Sequence, residues 1–394
     1  MRRLLRRLAW FLALLAFALA LTWWLTLPKA PDAFYDAPEG VLPPPGTLLR
    51  SEPFVRDVPN GAEGWRLLYT TTDPSDRVVL GSAIVLAPAS RGEVALPVIA
   101  WTHGTTGVAA ACAPSMLAKP FANVPALPEA LASGWAIVAP DYAGLGTRGV
   151  HGYLVGDSQS RATWDALRAA RQLEGVTLAA DVVLWGHSQG GHAALWSAAQ
   201  AARYPEAGML RGVVAMAPAS DLVALVGEAQ DTPVGKMLSS YLVTAYAAHY
   251  PELDAGTLLR PTARPFVADI ARRCMAGLEA LPGVVDALLL RRSIFRDDPT
   301  QGVFGARLFE NRAPVTREAP VLLLQGEADP LVLPQVQAAY VRDECARGAV
   351  IDYRTFAGED HLRLVARESP AAAPLLEWTR ARFAVIAADA RCPG

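Results

Sequence analysis

The chain has 394 residues, of which 52% are hydrophobic and 19% are charged. This composition is typical of a packed globular protein, and the length allows one large domain with an inserted subdomain, so a disordered chain is excluded. The 36 basic and 38 acidic residues give a formal charge of −2, which argues against a nucleic-acid partner.

Residues 1–27 combine an Arg-rich start with an apolar run that begins at residue 8, the pattern of an export signal or a membrane anchor. The small-x-small sequence Ala18-Leu19-Ala20 predicts cleavage, whereas the uninterrupted run is also long enough to span a bilayer. We therefore expect an exported protein. It is secreted or periplasmic after cleavage, or it associates with the membrane through this segment and faces outward. A buried N-terminal helix is a third interpretation, which the lack of a charged residue within the run disfavours.

The cysteines lie far apart in the sequence, so zinc knuckles and redox CxxC motifs are excluded. An even number in an exported chain predicts two disulfides, and three pairings remain open. Four buried thiols are the alternative. The candidates are Cys112, Cys274, Cys345 and Cys392.

Residues 28–60 contain eight prolines and few periodic apolar positions, which predicts an extended linker. Regular structure is expected to begin near Trp65. There, the segments 66–71 and 78–86 flank the turn sequence 73–76 and predict a hairpin.

Short apolar runs of four residues follow, each bounded by turn residues, as is typical of strands buried on both faces of a parallel sheet. Helical patterns at 161–173 and 191–204 lie between them, so we predict repeated βαβ units and an α/β fold with a mostly parallel sheet flanked by helices. The predicted strands include residues 98–101, 136–139, 182–185, 213–216 and 321–324.

The segment 221–312 has no clear strand, and two helical stripes within it predict an inserted helical cap. An insertion at this point lies on the carboxyl side of the strands, where open α/β sheets bind ligands. The first stripe is Val234, Met237, Leu238, Tyr241, Leu242, Ala245 and Ala248; the second is Phe266, Ile270, Cys274, Leu278 and Leu281. The predicted units are the leader 1–27, the linker 28–60, the core 61–220, the cap 221–312 and the rest of the core, 313–394.

The sequence Gly-His-Ser-Gln-Gly at residues 186–190 lies between an apolar run and a helical pattern. This is the setting of a nucleophile elbow, a tight turn from strand to helix that exposes a serine hydroxyl and needs small residues two positions before and after it. The motif therefore predicts Ser188 as a nucleophile, with an ordinary βα turn as the alternative.

A serine hydroxyl needs a general base that a third group orients. His361 follows the apolar segment 350–356 late in the chain. Because the order in α/β-hydrolases is nucleophile, acid and histidine, His361 is the predicted base. The other histidines flank the elbow or lie in earlier loops and in the predicted cap: His103, His151, His187, His192 and His249.

Asp329 follows the run 321–324, between the predicted nucleophile and base. We expect it to hold the imidazole tautomer and to stabilise the imidazolium ion. Glu327 is a weaker rival acid, and Asp329 has an alternative role as the cap of a helix after Pro330.

Two backbone amides are expected to stabilise the oxyanion of a tetrahedral intermediate. Thr105, in the loop 102–107, is the preferred first donor and Thr106 is the runner-up. Gln189, directly after the nucleophile, is the second donor. A simple glycine turn at 102–107 is the alternative.

No metal or cofactor is predicted. The motif HExxH is absent, and His187 and His192, five residues apart, do not share a helical face.

The sequences at 103–115 (with Cys-Ala-Pro-Ser at its end), 139–146 and 186–191 together resemble the secretory lipase family of α/β-hydrolases, over about residues 60–390. This resemblance implies hydrolysis of acylglycerols or simpler carboxylic esters, and a helical cap with a lid over the acyl site. The leader and the Pro-rich linker depart from the family pattern. By the same resemblance, the cysteines form two disulfides, Cys112 with Cys274 and Cys345 with Cys392.

We therefore expect an exported serine esterase or lipase that acts on an acyl ester or lipid. An exopeptidase of the same fold is the second hypothesis, which the apolar stripes of the predicted cap disfavour because they suit an acyl chain. The third is a non-catalytic binding protein of the same fold, which would be expected to lack a member of the triad.

Overall fold

The computed structural model describes residues 2–92, 94–388, 390 and 392. Its first helix, α1, spans Arg2–Leu25. Within α1, the side chains of residues 2, 4, 5, 8, 15, 16, 18–20 and 25 lie outside the described residues, and these include the predicted cleavage site Ala18-Leu19-Ala20. Across the described part of the chain, no helix combines the length and the apolar character needed to cross a membrane.

Among the described residues, four strands follow α1 in succession, and strands and helices then alternate from residue 96 to residue 216. The strands are β1 (Leu48–Pro53), β2 (Ala62–Thr72), β3 (Val78–Pro88), β4 (Leu96–Thr102), β5 (Ala136–Pro140), β6 (Leu178–His187), β7 (Met209–Met216), β8 (Val321–Gly326) and β9 (Ile351–Phe356). The further helices are α2 (Leu127–Ala132), α3 (Gly156–Ala170), α4 (Gln189–Ala199), α5 (Leu222–Ala229), α6 (Pro233–His249), α7 (Ala255–Leu258), α8 (Arg264–Ala271), α9 (Ala280–Leu289), α10 (Gly302–Glu310), α11 (Pro334–Ala346) and α12 (Ala372–Phe383).

Within the described residues, the strands form one sheet in the order β1-β2-β3-β5-β4-β6-β7-β8-β9. β1, β2, β3 and β5 pair antiparallel in that order, and from β5 to β9 all neighbours are parallel. This mixed, mostly parallel sheet with flanking helices confirms the predicted α/β class. The predicted hairpin is β2 and β3.

Successive residues of the central strands face two separate cores, and for this reason their sequences are continuous apolar runs. In β4, Val98 and Ala100 pack with residues of α3, α4 and α11 on one face. Ile99 and Trp101 pack with residues of α2 and α12 on the other. Both faces of the sheet are therefore covered, and the edge formed by the carboxyl ends of the strands is left for a site.

The predicted linker 28–60 is wrong in part, because six of its residues form the edge strand β1. Phe34 and Tyr35, also within it, are buried against the domain. β1 has no apolar alternation, and it is held by its pairing with β2 and by the ion pair between Arg66 and Glu52. Its partner strand, not its own sequence, determines its conformation.

Six helices, α5 to α10, lie between β7 and β8, in the segment predicted as a cap, and they enclose a core of their own. In α6, Met237, Tyr241 and Leu242 of the first stripe are buried. The prediction that the second stripe lies on one continuous helix is wrong. Gly277, with a φ of +57°, separates α8 from α9, and the side chain of Leu278 is 74% exposed.

Two disulfides are present, Cys112–Cys274 and Cys345–Cys392, the pairing that the family resemblance implies. The first joins the loop after β4 to the segment after α8. The second joins α11 to the C-terminal segment. Both therefore connect elements that are distant in sequence, with separations of 162 and 47 residues.

Two glycines of the helices between β7 and β8 provide a matched test of the packing. A Cβ on Gly235 in α6 would lie 1.8 Å from the carbonyl oxygen of Ala229, whereas a Cβ on Gly283 in α9 would meet nothing closer than Met237 Cε at 3.4 Å. We expect Gly235→Ala to lower the free energy of unfolding by about 2 kcal/mol. Gly283→Ala should leave it unchanged or raise it by up to about 1 kcal/mol. Urea unfolding of both variants measures this, and equal effects would contradict the packing.

Candidate active site

Ser188 is the single residue between the end of β6 and the start of α4. Its backbone has φ 58° and ψ −121°, a conformation that costs a non-glycine residue about 1 to 3 kcal/mol and persists only where the surrounding structure holds it. The predicted strand-turn-helix setting of the serine is therefore present.

The glycines around Ser188 are required by close backbone contacts. A Cβ on Gly186 would lie 2.1 Å from the carbonyl oxygen of Gly190, and a Cβ on Gly190 would lie 1.9 Å from the carbonyl oxygen of Thr102. The Thr102 hydroxyl lies 2.9 Å from the carbonyl oxygen of Trp185 and 2.8 Å from that of Gly190, and its single hydrogen is shared between these two acceptors. The end of β4 therefore contacts the turn both before and after Ser188.

Asp329 and His361 form a buried pair beside the ends of β8 and β9. The Nδ1 of His361 lies 2.7 Å from Oδ2 of Asp329. The other carboxylate oxygen accepts from the amides of Leu331 at 2.8 Å and Val332 at 2.9 Å. α11 begins later, at Pro334, and Leu333 is its N-cap, so Asp329 does not cap that helix. The carboxylate is fixed by its own loop and faces the imidazole.

Glu327, the rival acid, is exposed and accepts a hydrogen bond from the Thr355 hydroxyl at 2.7 Å. The structure pairs His361 with Asp329.

A second contact joins the loop of His361 to the residue directly before Ser188. His187 Nε2 lies 2.9 Å from the carbonyl oxygen of His361, and only an N–H can bridge these atoms. Burial, with His361 nearby, lowers the pKa of His187 well below its ordinary value, so the ring is neutral and carries its proton on Nε2. Sequence reasoning missed this role, because the motif gives no signal of where the side chain before the serine points.

Ser188 and His361 line one cavity of about 280 Å³ together with Thr105 and Gln189. Gln189 is the first residue of α4, so its amide N–H has no acceptor within the helix and lies at the positive end of the helix dipole. The structure thus brings together the predicted nucleophile, base and both preferred oxyanion donors.

Thr106, the runner-up donor, does not line this cavity. Its carbonyl accepts from the amide of Met275 at 2.7 Å, and its hydroxyl is buried without a partner among the described residues. Thr105 instead has its hydroxyl 3.0 Å from the hydroxyl of Tyr153, a contact that sequence reasoning also missed.

Most of the remaining cavity wall is apolar, with Asn123 and Ser239 among the polar exceptions, and its largest share comes from α5 and α6. Among the described lining residues, none is Asp, Glu, Lys or Arg. The apolar side chains are Leu154, Ala219, Leu222, Leu225, Val226, Ala229, Leu238, Leu242, Met275, Leu331, Val332 and Leu362.

Three of the other histidines are buried hydrogen-bonding groups. Burial lowers the pKa of His103 and of His192 to about 4 and that of His151 to about 3, so all three are neutral at pH 7. In the part of the chain that the structure describes, no cluster of three or more His, Cys, Asp or Glu is arranged to hold a metal ion.

Comparison with known proteins identifies the family of this chain. The sequence profile of the secretory lipase family matches residues 122–389. The chain belongs to the secretory lipase family. A probable inactive lipase of Mycobacterium tuberculosis is 27% identical to this chain, and the alignment covers 90% of this chain and 82% of the relative's length. Lipase A of Moesziomyces aphidis is 23% identical, and the alignment covers 84% of this chain and 76% of that protein's length.

Solved structures of lipases and esterases share the α/β-hydrolase fold of this family member. Lipase A of Candida antarctica in its closed state superposes with a TM-score of 0.72 at 20% identity, covering 92% of this chain and 87% of that one. The rice cell wall degrading esterase of Xanthomonas oryzae gives a TM-score of 0.66 at 20% identity, covering 87% of this chain and 98% of that one. The predicted fold is therefore confirmed.

The lowered pKa of His192 predicts a pH-dependent contribution to stability. The unfolded histidine titrates near 6.5 and the folded one at about 4, so acidification protonates the unfolded chain first. The stabilisation is complete above pH 6.5 and is lost as the pH falls towards 4. We expect the free energy difference between the native protein and His192→Gln to shrink by about 2 kcal/mol between pH 7 and pH 5. Urea unfolding at both pH values measures this free energy difference. If the difference were the same at pH 7 and pH 5, the lowered pKa of His192 would be contradicted.

Proposed function

We propose that this protein is a serine hydrolase of carboxylic esters, a lipase or esterase. Ser188 is the nucleophile, His361 is the general base and Asp329 orients the histidine. The observation that carries the proposal is the 2.7 Å contact between His361 and Asp329, on the same cavity as a serine held in a strained elbow.

The hydrogen bond between His361 and Asp329 supports the following order of proton transfers. When Nδ1–H of His361 donates to Asp329, the lone pair is left on Nε2, which takes the hydroxyl proton of Ser188 as its oxygen attacks the ester carbonyl. The oxyanion forms against the amides of Gln189 and Thr105. Collapse of the intermediate releases the alcohol, which takes the proton from His361. Water, activated by the same histidine, then hydrolyses the acyl-enzyme.

The apolar cavity supports an acyl chain as the group that is bound. An exopeptidase would need a charged side chain to hold a peptide terminus, and the described lining residues include no Asp, Glu, Lys or Arg. We propose that the helices of the segment 221–312 act as a cap over the sheet edge and supply the acyl site. Acylglycerols or simpler acyl esters are the proposed substrates.

The non-catalytic hypothesis gains some support from a relative whose name describes it as a probable inactive lipase. In this chain, the buried Asp329 and His361 are paired and the nucleophile position holds a serine. A binding protein has no need of this buried pair, so we favour catalysis.

We also propose that the protein is exported. Two disulfides suit an oxidising compartment, and the family is one of secretory lipases.

Labelling with a fluorophosphonate, followed by mass mapping, tests the nucleophile. We expect one adduct, on Ser188, and loss of both the adduct and ester hydrolysis in Ser188→Ala. An adduct at another residue, or ester hydrolysis that survives in Ser188→Ala, would overturn the assignment. A native protein that neither reacts nor hydrolyses p-nitrophenyl esters would support the non-catalytic hypothesis.

The two candidate acids are tested by a matched pair of amide variants. Asp329→Asn should lower kcat roughly a thousandfold or more, because the asparagine favours the wrong tautomer of His361. Glu327→Gln should stay within about twofold of the native rate, because its side chain faces solvent. Equal losses in both variants would contradict the triad.

The size of the cavity predicts a dependence on acyl-chain length. Each added CH₂ that becomes buried contributes about 0.8 kcal/mol, so kcat/KM on p-nitrophenyl esters should rise about fourfold per CH₂. The rise should stop when the chain outgrows the cavity. Leu238→Trp, which fills the α6 wall, should move this limit to shorter chains. Faster turnover of aminoacyl anilides than of any ester would favour the exopeptidase.

A further inference from the structure

The loop between β5 and α3 contacts both of the residues that are proposed as oxyanion donors. The hydroxyl of Tyr153 lies 3.0 Å from the hydroxyl of Thr105. Two residues earlier, Nε2 of His151 lies 2.9 Å from the side-chain nitrogen of Gln189. One short segment thus reaches the loop after β4 and the first turn of α4, the two elements from which the oxyanion amides come.

The contact between His151 and Gln189 requires one tautomer. The other ring nitrogen, Nδ1, lies 3.4 Å from the carbonyl oxygen of Ala143, which can only accept, so Nδ1 carries the proton. Nε2 is then an acceptor, and the amide nitrogen of Gln189 donates to it. Burial, which lowers the pKa of His151 to about 3, keeps this ring neutral and able to accept.

Aromatic packing fixes the loop itself. The ring of His151 stacks on Tyr142 with centroids 5.5 Å apart and planes 6° apart. Tyr153 packs edge-on against His151 and against Tyr241 of α6. A Cβ on Gly144 would lie 2.5 Å from the backbone nitrogen of His151, so the loop closes tightly on itself. The two side chains are therefore held rigidly and can orient their partners.

We propose that His151 and Tyr153 are positioning residues for the oxyanion hole. Tyr153 holds the donor loop through the Thr105 hydroxyl, and His151 holds the first residue of α4 through the side chain of Gln189. Gln189 is 1% exposed, and its amide N–H has no partner within the helix, so the side-chain contact restrains the peptide that carries this donor. The inference depends on the proposed ester hydrolysis.

Tyr153→Phe removes only the hydroxyl that touches Thr105. Because the oxyanion develops after substrate binding, we expect kcat on p-nitrophenyl butyrate to fall about tenfold and KM to stay unchanged. The Ki of a trifluoromethyl ketone, which forms a tetrahedral adduct, should rise by about the same factor. The matched control is Tyr340→Phe in α11, a buried tyrosine whose hydroxyl donates to the carbonyl of Ala313 at 3.0 Å, and it should stay within about twofold.

A double-mutant cycle with Thr105→Val separates positioning from a general loss of stability. If the two hydroxyls act through their contact, Tyr153→Phe should lower kcat little further in a Thr105→Val background. Additive losses, or equal losses in Tyr153→Phe and Tyr340→Phe, would overturn the role of Tyr153.

Two substitutions test whether His151 acts as a hydrogen-bond acceptor for Gln189. His151→Gln keeps a polar group near the position of Nε2 and should retain most of the native kcat, whereas His151→Leu should lower it about tenfold with KM unchanged. A Leu variant with the kcat of the Gln variant would overturn the role of His151. A native enzyme that neither hydrolyses esters nor labels at Ser188 would instead refute the proposed function, so the two failures are distinguishable.

Discussion

The structure of the site depends on the backbone of Ser188, which is held at a positive φ between β6 and α4. The strain is of the order of 1 to 3 kcal/mol, and the hydrogen bonds of Thr102 to the carbonyls on both sides of the turn offset it. The contacts at Gly186 and Gly190 are so close that any side chain there would separate β4, β6 and α4. The same turn that exposes the serine also presents the first amide of α4, so the proposed nucleophile and the proposed oxyanion donor are fixed together.

Neutral, buried histidines attach the remaining parts of the site to this turn. His187 donates to the carbonyl of His361, so the loop that carries the proposed base is held by the residue before the proposed nucleophile. His151 accepts from the side chain of Gln189. The role of His151 needs an uncharged ring, because one nitrogen must accept while the other donates. Burial lowers the pKa of both histidines and keeps both rings neutral. Each histidine therefore contributes geometry, and His361, paired with Asp329, is left as the proposed base.

The helices between β7 and β8 supply much of the apolar cavity wall. The segment after α8 also reaches the loop that carries the proposed donor Thr105. Next to the disulfide Cys112–Cys274, the amide of Met275 donates to the carbonyl of Thr106 at 2.7 Å. A Cβ on Gly107 would lie 2.7 Å from Cys112 Sγ, so the loop and the disulfide are in direct contact. The covalent link and this hydrogen bond therefore couple the position of the apolar cavity to the position of the proposed donor Thr105.

Local sequence determined the central strands, the elbow and the candidates Asp329 and His361, because apolar runs, glycine spacing and chain order are properties of short segments. It did not determine β1, whose conformation comes from pairing with β2, or the break between α8 and α9 near Gly277. Nor did it identify the contacts of Tyr153 and His187, which join residues 48 and 174 positions apart. The tertiary structure decided these features because the direction of a side chain and the partner it meets depend on how distant elements pack, and no local pattern encodes that.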